Sequence, residues 1–271
     1  MASGAGGLTT GIALPPAVRL PHADVVAVDR IRDDLAQIVH SHASVYQWAE
    51  EQPQPRALRG RAPVYVATLP TSGVTVVVRH SWHGGLLAPI TGDRFRRPTR
   101  APQEMQRSIA LRAAGIPTTE VLGFVRYDAG AGLARVDVVS RYVDDTADLG
   151  MILAGLDPEL EGEAALTATL TLLQKLAAHG VVHPDLNVKN VLLRRQAVNG
   201  PEAMIIDVDV VDWNPERPAS ETMARNVARL VRSLHKWRRQ FGCDLADPRI
   251  ESFAESALAL TRDTTHAPAT A

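Results

Sequence analysis

The chain has 271 residues, of which 45% are hydrophobic and 22% are charged, and its formal net charge at pH 7 is −1. This composition is typical of a globular protein large enough for two cores, and it excludes a general electrostatic attraction to nucleic acid. The single cysteine excludes an internal disulfide and a multi-cysteine metal site, as is typical of a reducing compartment. No apolar run approaches the roughly 18 residues that a membrane span requires.

The N-terminal region is predicted to contain one helix after a disordered start. Residues 1–16 are mostly small and neutral and lack the basic region of a signal peptide. We predict residues 1–20 to be disordered. Asp29 can cap a helix whose apolar positions continue from Ile31 to Val45, and Pro53 ends it. We expect this helix to be an addition to the lobe that follows.

A turn signal predicts a β-hairpin in the next segment. Two runs rich in β-branched residues, at 64–69 and 74–79, flank the sequence Pro-Thr-Ser-Gly at 70–73. This pattern is typical of two antiparallel strands joined by a tight turn. A basic loop is predicted to follow, over residues 80–100.

A helix and two further strands complete the first half of the chain. The helix is predicted over residues 102–114, because Gly115 suits the position just after a helix and Pro117 cannot continue one. The strands are predicted at residues 121–126 and 136–142.

The second half changes to the periodicity of α-helices. Four leucines recur at helical spacing within residues 159–179: Leu166, Leu170, Leu173 and Leu176. Short strands are predicted at residues 191–193 and 204–206, and a long helix over residues 220–240.

Strands followed by helices indicate an α+β fold. We predict a sheet lobe over residues 21–143, which includes the extra helix, and a helical lobe over residues 144–263. A disordered tail is expected over residues 264–271.

Three side chains in the second half suit phosphoryl transfer. The run His-Pro-Asp-Leu-Asn-Val-Lys-Asn at 183–190 contains Asp185 and Asn190, and Asp207 follows after one strand and a turn. The chemistry needs one carboxylate near the acceptor hydroxyl, and an amide oxygen and a second carboxylate on the magnesium ion that neutralises the phosphates. Asp185 as base, with Asn190 and Asp207 as metal ligands, fits these needs. The alternative is a loop whose Asp and Asn only stabilise backbone turns.

This spacing resembles the catalytic loop H-x-D-x-x-x-x-N of protein kinases and the metal-binding Asp after it. The resemblance implies a protein-kinase-like two-lobed fold with ATP as donor, and Asp209 as a second metal-loop carboxylate. It places the phosphate-covering turn at Gly60, and Arg79 in the position of the usual kinase Lys, with Glu104 as partner. Lys189 is a further candidate for phosphate contact. The alternatives are a surface turn at Gly60, an exposed strand-end Arg79 and a solvated Lys189.

Two further segments carry a more specific resemblance. One is the run RHSWHGGLLA at 79–88 with GDRF at 92–95, and the other is the Leu-Asn-x-x-Asn form of the catalytic loop with the pair Asp207 and Asp209. Both are similar to the lipopolysaccharide kinase family, in particular its 3-deoxy-D-manno-octulosonic acid (Kdo) kinases. The resemblance covers roughly residues 59–234. Val208 and Pro184 depart from the family pattern, although neither departure removes a charged group.

The resemblance implies an ATP- and Mg²⁺-dependent kinase that phosphorylates the 4-hydroxyl of a Kdo sugar on a lipid A precursor. It also implies a cytoplasmic enzyme, peripheral at the cytoplasmic face of the inner membrane. The first alternative is a phosphotransferase of the aminoglycoside or choline kinase type, which shares the catalytic loop. The second is a pseudokinase that binds nucleotide without turnover, an interpretation motivated by Arg79 and the sparse glycine loop.

Two groups of basic residues offer this near-neutral chain a route to an anionic membrane. One lies on the predicted loop: Arg94, Arg96, Arg97 and Arg100. The other recurs at spacings of four and three on the long predicted helix: Arg225, Arg229, Arg232, Lys236 and Arg239. We expect the loop to bind an anionic membrane surface, because its arginines repel one another unless something anionic is near. For the helix we favour an ordinary solvated face.

Overall fold

The computed structural model describes residues 12–58, 63–82, 92–96, 98–197, 200–241 and 246–262. The chain divides into two compact units. The sheet unit comprises Ile12–Ile109 and Thr119–Tyr142, and the helical unit comprises residues 110–118 and the described part of 143–262. Each unit has a hydrophobic core of its own.

An antiparallel sheet forms the centre of the sheet unit. Within the described residues it has eight strands: β1 (Val18–Leu20), β2 (Ala23–Ala27), β3 (Arg56–Leu58), β4 (Val64–Thr68), β5 (Thr75–His80), β6 (Phe95–Arg96), β7 (Val121–Asp128) and β8 (Leu133–Arg141). Their order is β1-β2-β7-β8-β5-β4-β3, and β6 pairs with β8. The predicted hairpin is confirmed as β4 and β5. Strand β1 lies within the segment that we expected to be disordered, where Val18 pairs with Val25 of β2.

The helical segment before the hairpin differs from the prediction. Helix α1 (Asp29–Ser41) begins after Val28, and no side chain caps it, so the prediction that Asp29 is the cap was wrong. The helix also does not reach Val45. Ser44 instead starts a second helix, α2 (Val45–Glu50), because its side chain accepts a hydrogen bond from a backbone N–H of the first turn.

The two faces of the sheet carry separate apolar clusters. On one face, Val78 of β5 belongs to the same buried cluster as Leu35 of α1. On the other face, Val138 of β8 packs in a cluster with Met105 of helix α3 (Ala101–Ala113). Arg79 follows Val78 and pairs with Val138 across the strands, and successive side chains of a strand point to opposite faces. Arg79 therefore lies on the α3 face.

Helix α3 ends as the sequence predicted. Gly115 has a φ of +74°, in the left-handed region that glycine adopts without strain. Its N–H donates to the carbonyl of Arg112 at 3.0 Å, and the N–H of Ile116 donates to the carbonyl of Leu111 at 2.9 Å. These two bonds form a Schellman motif, which satisfies the last carbonyls of the helix. The prediction from Gly115 is confirmed.

The helical unit consists of helices and short strand pairs. Its described elements are β9 (Thr146–Asp148), α4 (Leu149–Leu153), α5 (Gly162–Ala178), β10 (Val181–Val182), β11 (Val191–Ala197), β12 (Gly200–Ile205), a 3-10 helix (Val208–Val210), β13 (Asp212–Trp213), α6 (Ala219–Phe241) and α7 (Asp247–Arg262). Strand β11 pairs with β12 and β9, and β10 pairs with β13. All three pairings are antiparallel.

The core of the helical unit is built around α5. Leu166, Leu173 and Leu176 are buried there, whereas Leu170 is only partly buried at its edge. Leu230 of α6 belongs to the same core. Within the part of the chain that the structure describes, no helix is both long and apolar enough to cross a membrane.

A buried ionic cluster lies on the α2 face of the sheet. The carboxylate of Asp137 is fully buried and accepts hydrogen bonds from the hydroxyl of Tyr127 and the N–H of Tyr46, each at 2.9 Å. His80 places Nδ1 2.6 Å from Asp137 and Nε2 3.1 Å from Asp93. Because both ring nitrogens face carboxylate oxygens, the imidazolium ion, which donates from both, fits this position.

Burial lowers the pKa of His80, but the hydrogen bonds and charges of Asp137 and Asp93 outweigh it, so the pKa is raised overall. The stabilisation is therefore complete below the ordinary histidine pKa of about 6.5 and is lost as pH rises through the raised value. We expect the urea midpoint of the protein to fall over that range, and the fall to be absent in His80→Gln. Exposed His40 provides the control, His40→Gln, which should follow the wild type. If the urea midpoints of wild type and His80→Gln changed with pH in the same way, His80 would not be the source of the pH dependence.

Candidate active site

The loop with the predicted catalytic residues joins β10 to β11 in the helical unit. Two tight turns shape it, in which the N–H of Leu186 donates to the carbonyl of His183 and the N–H of Asn190 donates to that of Asn187, both at 3.0 Å. Leu186 is 2% exposed and packs in the core, whereas Asp185 is exposed. The apolar side chain thus anchors the loop, and the carboxylate of Asp185 faces solvent.

His183 joins this loop to the segment before Asp207. Its imidazole is fully buried, and Nε2 donates to the carbonyl of Ile206 at 2.9 Å. Nδ1 lies 3.3 Å from the backbone N–H of Asp185 and accepts from it. Both contacts are satisfied by one neutral tautomer, with the proton on Nε2. His183 therefore links the backbone of Asp185 to the residue just before Asp207.

Helix α6 supplies two polar clamps that the sequence did not reveal. Asn226 is fully buried; its Oδ1 accepts from the N–H of His183 at 3.0 Å, and its Nδ2 donates to the carbonyl of Val181 at 2.8 Å. Two turns further along, the hydroxyl of Ser233 accepts from the N–H of Val188 at 3.1 Å. The available signal was a polar residue at a core-facing helical position, because Asn226 precedes the buried Val227 and lies one turn before Leu230.

The backbone of Asn190 contacts the segment that joins β12 to Asp207. The Nδ2 of Asn190 donates to the carbonyl of Asp185 at 2.9 Å, which leaves its amide oxygen as the atom able to face a metal ion. The carbonyl of Asn190 also accepts from the N–H of Ile206 at 3.1 Å, so Asp207 follows directly. Asp207 is exposed, and Asp209 lies two residues on, partly exposed, in the 3-10 helix.

Asp207 has an unusual backbone conformation. Its φ of 57° and ψ of 49° lie in the left-handed region, which Asp and Asn tolerate better than other residues with a side chain. At Asp207 the chain turns away from the direction of strand β12, and the 3-10 helix begins at Val208. The turn holds the carboxylate of Asp207 at the surface, beside the catalytic loop.

These donors fit magnesium. Carboxylate and amide oxygens are hard ligands, and Mg²⁺ is commonly held by one or two carboxylates together with substrate phosphates. No cluster of three or more His, Cys, Asp or Glu side chains suited to a metal ion occurs among the described residues. Binding of Mg²⁺ by these residues together with a nucleotide stays a prediction.

Lys189 lies against helix α6. Its side chain is exposed, and Nζ lies 5.3 Å from the ring centroid of Trp237, within the range of a cation–π contact. The indole N–H of Trp237 donates to the carbonyl of Gly150 at 2.8 Å. Nearby, burial raises the pKa of Asp148, which caps α4. A contact between Lys189 and phosphate stays a prediction.

In the sheet unit, Arg79 and Glu104 form an ion pair. The Nη2 of Arg79 donates to the two carboxylate oxygens of Glu104 at 2.6 and 2.7 Å. Glu104 is largely buried, with 9% of its side chain exposed, whereas Arg79 is 36% exposed. The pair that the sequence suggested is therefore present, and part of the guanidinium remains accessible. Its action on phosphate stays a prediction.

We expect Arg79→Lys to keep substantial activity, because an ammonium can still pair with Glu104 and with phosphate as a point charge. Arg79→Ala should raise the apparent KM for ATP and lower turnover, which steady-state kinetics will measure. The double variant Arg79→Ala, Glu104→Gln also removes the negative charge of the buried Glu104 and controls for loss of stability. An Ala variant with wild-type kinetics would reduce Arg79 to a surface residue.

Two predicted elements are described incompletely or not at all. The turn with Gly60, at residues 59–62, lies outside the described residues. Arg97 of the basic loop also lies outside them, whereas Arg94, Arg96 and Arg100 are described and exposed.

A comparison with known proteins finds a family whose model matches most of this sequence. The model of the family described as "Lipopolysaccharide kinase (Kdo/WaaP) family" matches residues 47–241. That span contains the Arg79–Glu104 pair, the catalytic loop and Asp207. It also contains the whole of helix α6, with its two clamps.

Several curated relatives are named 3-deoxy-D-manno-octulosonic acid kinase. The protein from Mannheimia succiniciproducens is 26% identical over 196 residues, which covers 70% of this chain and 79% of that protein. The protein from Actinobacillus succinogenes is 27% identical over 182 residues, which covers 66% of this chain and 73% of that protein. The protein from Haemophilus influenzae strain Rd is 26% identical over 195 residues, with 70% and 78% covered.

A solved structure of WaaP in complex with acyl carrier protein is similar in fold. It aligns with a TM-score of 0.50 and 15% identity, covering 88% of this chain and 90% of that chain. The likeness confirms the predicted kinase-like α+β fold. Together with the family match, which spans more than half of the sequence, it leads to one conclusion: the chain belongs to the lipopolysaccharide kinase (Kdo/WaaP) family.

Proposed function

We propose that the protein transfers the γ-phosphoryl group of ATP to the 4-hydroxyl of a Kdo sugar on a lipid A precursor. Membership of a lipopolysaccharide kinase family makes the chain a phosphotransferase and implies the use of ATP. The names of the curated relatives support Kdo as the acceptor. One observation supports phosphoryl transfer most directly. Hydrogen bonds with His183 and Asn190 fix the backbone of Asp185, and His183 also bonds to the residue just before Asp207.

Asp185 is the proposed base. Its exposed carboxylate can reach an acceptor hydroxyl, while its backbone N–H and carbonyl are held by His183 and Asn190. As the sugar oxygen forms its bond to the γ-phosphorus, the bond to the β–γ bridging oxygen breaks and ADP leaves. The proton of the sugar hydroxyl passes to the carboxylate of Asp185. Asp185 later releases that proton to solvent.

Asn190 and Asp207 are the proposed Mg²⁺ ligands, and Asp209 is a secondary one. The ion, when bound, neutralises phosphate charge that would otherwise repel the incoming oxygen. In the sheet unit, Arg79 is proposed to bind phosphate oxygens while Glu104 orients its guanidinium. Gly60 and Lys189 are proposed as further contacts to the phosphates.

We further propose that the enzyme works at the cytoplasmic face of the inner membrane, as a peripheral protein held through the basic loop. Support comes from the loop's composition, because Arg94, Arg96 and Arg100 are exposed within seven residues. Cations near an anionic membrane surface contribute about 1 kcal/mol each. Salt should weaken such binding, because the Debye length is only about 10 Å at 0.1 M ionic strength.

An ATP-consumption assay with three acceptor conditions tests the proposed reaction. A Kdo-bearing lipid A precursor dispersed in detergent should stimulate turnover, and the same lipid without Kdo should not. Stimulation by soluble amino alcohols instead would indicate the aminoglycoside or choline kinase type. Nucleotide binding without turnover under every condition would indicate a pseudokinase.

A further inference from the structure

Helix α6 has two sides of different character. Its apolar residues, among them Val227, Leu230 and Leu234, are buried in the core of the helical unit. Along another side the helix carries five basic residues, here called the α6 stripe: Arg225, Arg229, Arg232, Lys236 and Arg239. At about 100° per residue the stripe occupies a sector of about 80°, centred about 130° from the buried face. All five side chains are exposed.

Within the described part of the chain, four of the five stripe cations form no salt bridge, whereas two other cations of the same helix do. Arg225, at the start, pairs with Glu221 at 2.7 Å. On the flank that faces α7, Arg238 pairs with Asp247, and His235 lies 3.3 Å from the same carboxylate. The other four stripe cations form no salt bridge with any residue that the structure describes.

The stripe borders the catalytic loop. Ser233, whose hydroxyl accepts from the N–H of Val188 at 3.1 Å, lies four residues after Arg229 and three before Lys236. Residues at these spacings are neighbours on a helix surface. The side of α6 that holds the catalytic loop therefore continues directly into the basic stripe, within one rigid helix.

The dimensions of the stripe favour a surface over a single ionic group. From Arg229 to Arg239 the helix rises about 15 Å, at about 1.5 Å per residue. One phosphate reaches only one or two of these cations, whereas a plane of anionic headgroups contacts all of them at once. Two of the five stripe cations, Arg229 and Lys236, are the i−4 and i+3 neighbours of Ser233, which clamps the catalytic loop.

We propose that the α6 stripe docks the helical unit on an anionic phospholipid membrane, with the catalytic loop held next to the membrane surface. The proposal deepens the proposed function, on which it rests, because an acceptor anchored in a membrane must be reached at that surface. It differs from binding through the basic loop, which belongs to the sheet unit. It also replaces our interpretation of the stripe as an ordinary solvated face.

The test is sedimentation of the full-length protein with vesicles, in the absence of acceptor lipid and across a salt series. The vesicles contain phosphatidylcholine alone or with phosphatidylglycerol. The stripe variant is Arg229→Gln, Arg232→Gln, Lys236→Gln. A matched control removes three exposed arginines elsewhere: Arg19→Gln, Arg135→Gln, Arg194→Gln. A third variant, Arg94→Gln, Arg96→Gln, reports on the basic loop.

Wild type is expected to bind the anionic vesicles only, and more weakly as salt rises. The stripe variant should bind roughly a hundredfold more weakly, which follows from about fivefold for each cation near the surface. The control should bind as wild type. Wild-type binding by the stripe variant, an equal loss in the control, or no binding of wild type to anionic vesicles would each overturn the proposal.

Turnover on the Kdo-bearing precursor in neutral detergent separates this proposal from the proposed function. The stripe variant should keep wild-type turnover there, because no anionic surface is needed. A raised KM for the dispersed lipid, with unchanged vesicle binding, would assign the stripe to the acceptor and overturn membrane docking. If wild type binds vesicles but the precursor does not stimulate turnover, the proposed function fails while the docking surface stands.

Discussion

Replacing Asp185 with Asn is expected to lower turnover about 10²- to 10⁴-fold, which is the usual contribution of a general base. Asn has the same shape but cannot take the proton from the acceptor hydroxyl. The loop should keep its conformation, because His183, Asn187 and Asn190 contact the backbone of Asp185 and not its carboxylate. ATP affinity and thermal stability should therefore stay close to those of wild type.

The measurement combines steady-state turnover, nucleotide binding and the thermal midpoint of unfolding. Glu216→Gln is the matched control, because it removes another exposed carboxylate of the helical unit by an isosteric change. Near-normal turnover of Asp185→Asn would remove Asp185 from the role of base. A large loss of stability would instead show that the carboxylate supports the loop.

Replacing Asp207 with Asn is expected to abolish most Mg²⁺-dependent nucleotide binding and turnover, whereas Asp209→Asn should have the smaller effect. Asp207 follows the strand that ends beside Asn190, and the loss of one negative charge weakens its hold on a divalent cation. Asn is chosen over Ala because the left-handed backbone at Asp207 disfavours most residues with a side chain.

Nucleotide binding titrated against magnesium measures both variants. Binding in the absence of the metal provides the reference, because it should change little in either variant. Equal losses for Asp207→Asn and Asp209→Asn would show that the two carboxylates share the ion, and Asp209 would no longer be a secondary ligand.

The sequence predicted those features whose signals are local. The catalytic loop is read from eight consecutive residues, and the end of α3 from Gly115 with Pro117 just beyond it. The hairpin of β4 and β5 is read from one turn between two β-branched runs. In each case the residues that produce the structure are neighbours in the chain.

The features that were missed depend on partners far away in the sequence. Strands β1 and β2 are short, and β2 pairs with β7, where Asp24 and Arg126 form a salt bridge at 2.6 Å across about a hundred residues. The clamp from Asn226 to His183 likewise joins positions 43 residues apart. Periodicity within one element carries no information about such pairings, so they required the structure.

The close packing around Gly150 limits which substitutions this part of the chain can accept during evolution. A Cβ added at Gly150 would lie 2.7 Å from Cε2 of Trp237 and 3.0 Å from Cγ2 of Val188. Because the same indole lies under Lys189 and donates to the carbonyl of Gly150, the three positions constrain one another. A scan of single substitutions would score Gly150 as essential although it carries no chemical group. A larger residue at Gly150 requires a smaller side chain at Trp237 first, together with a small shift of Val188. The order of substitutions, and not only their identity, therefore limits the evolution of this site.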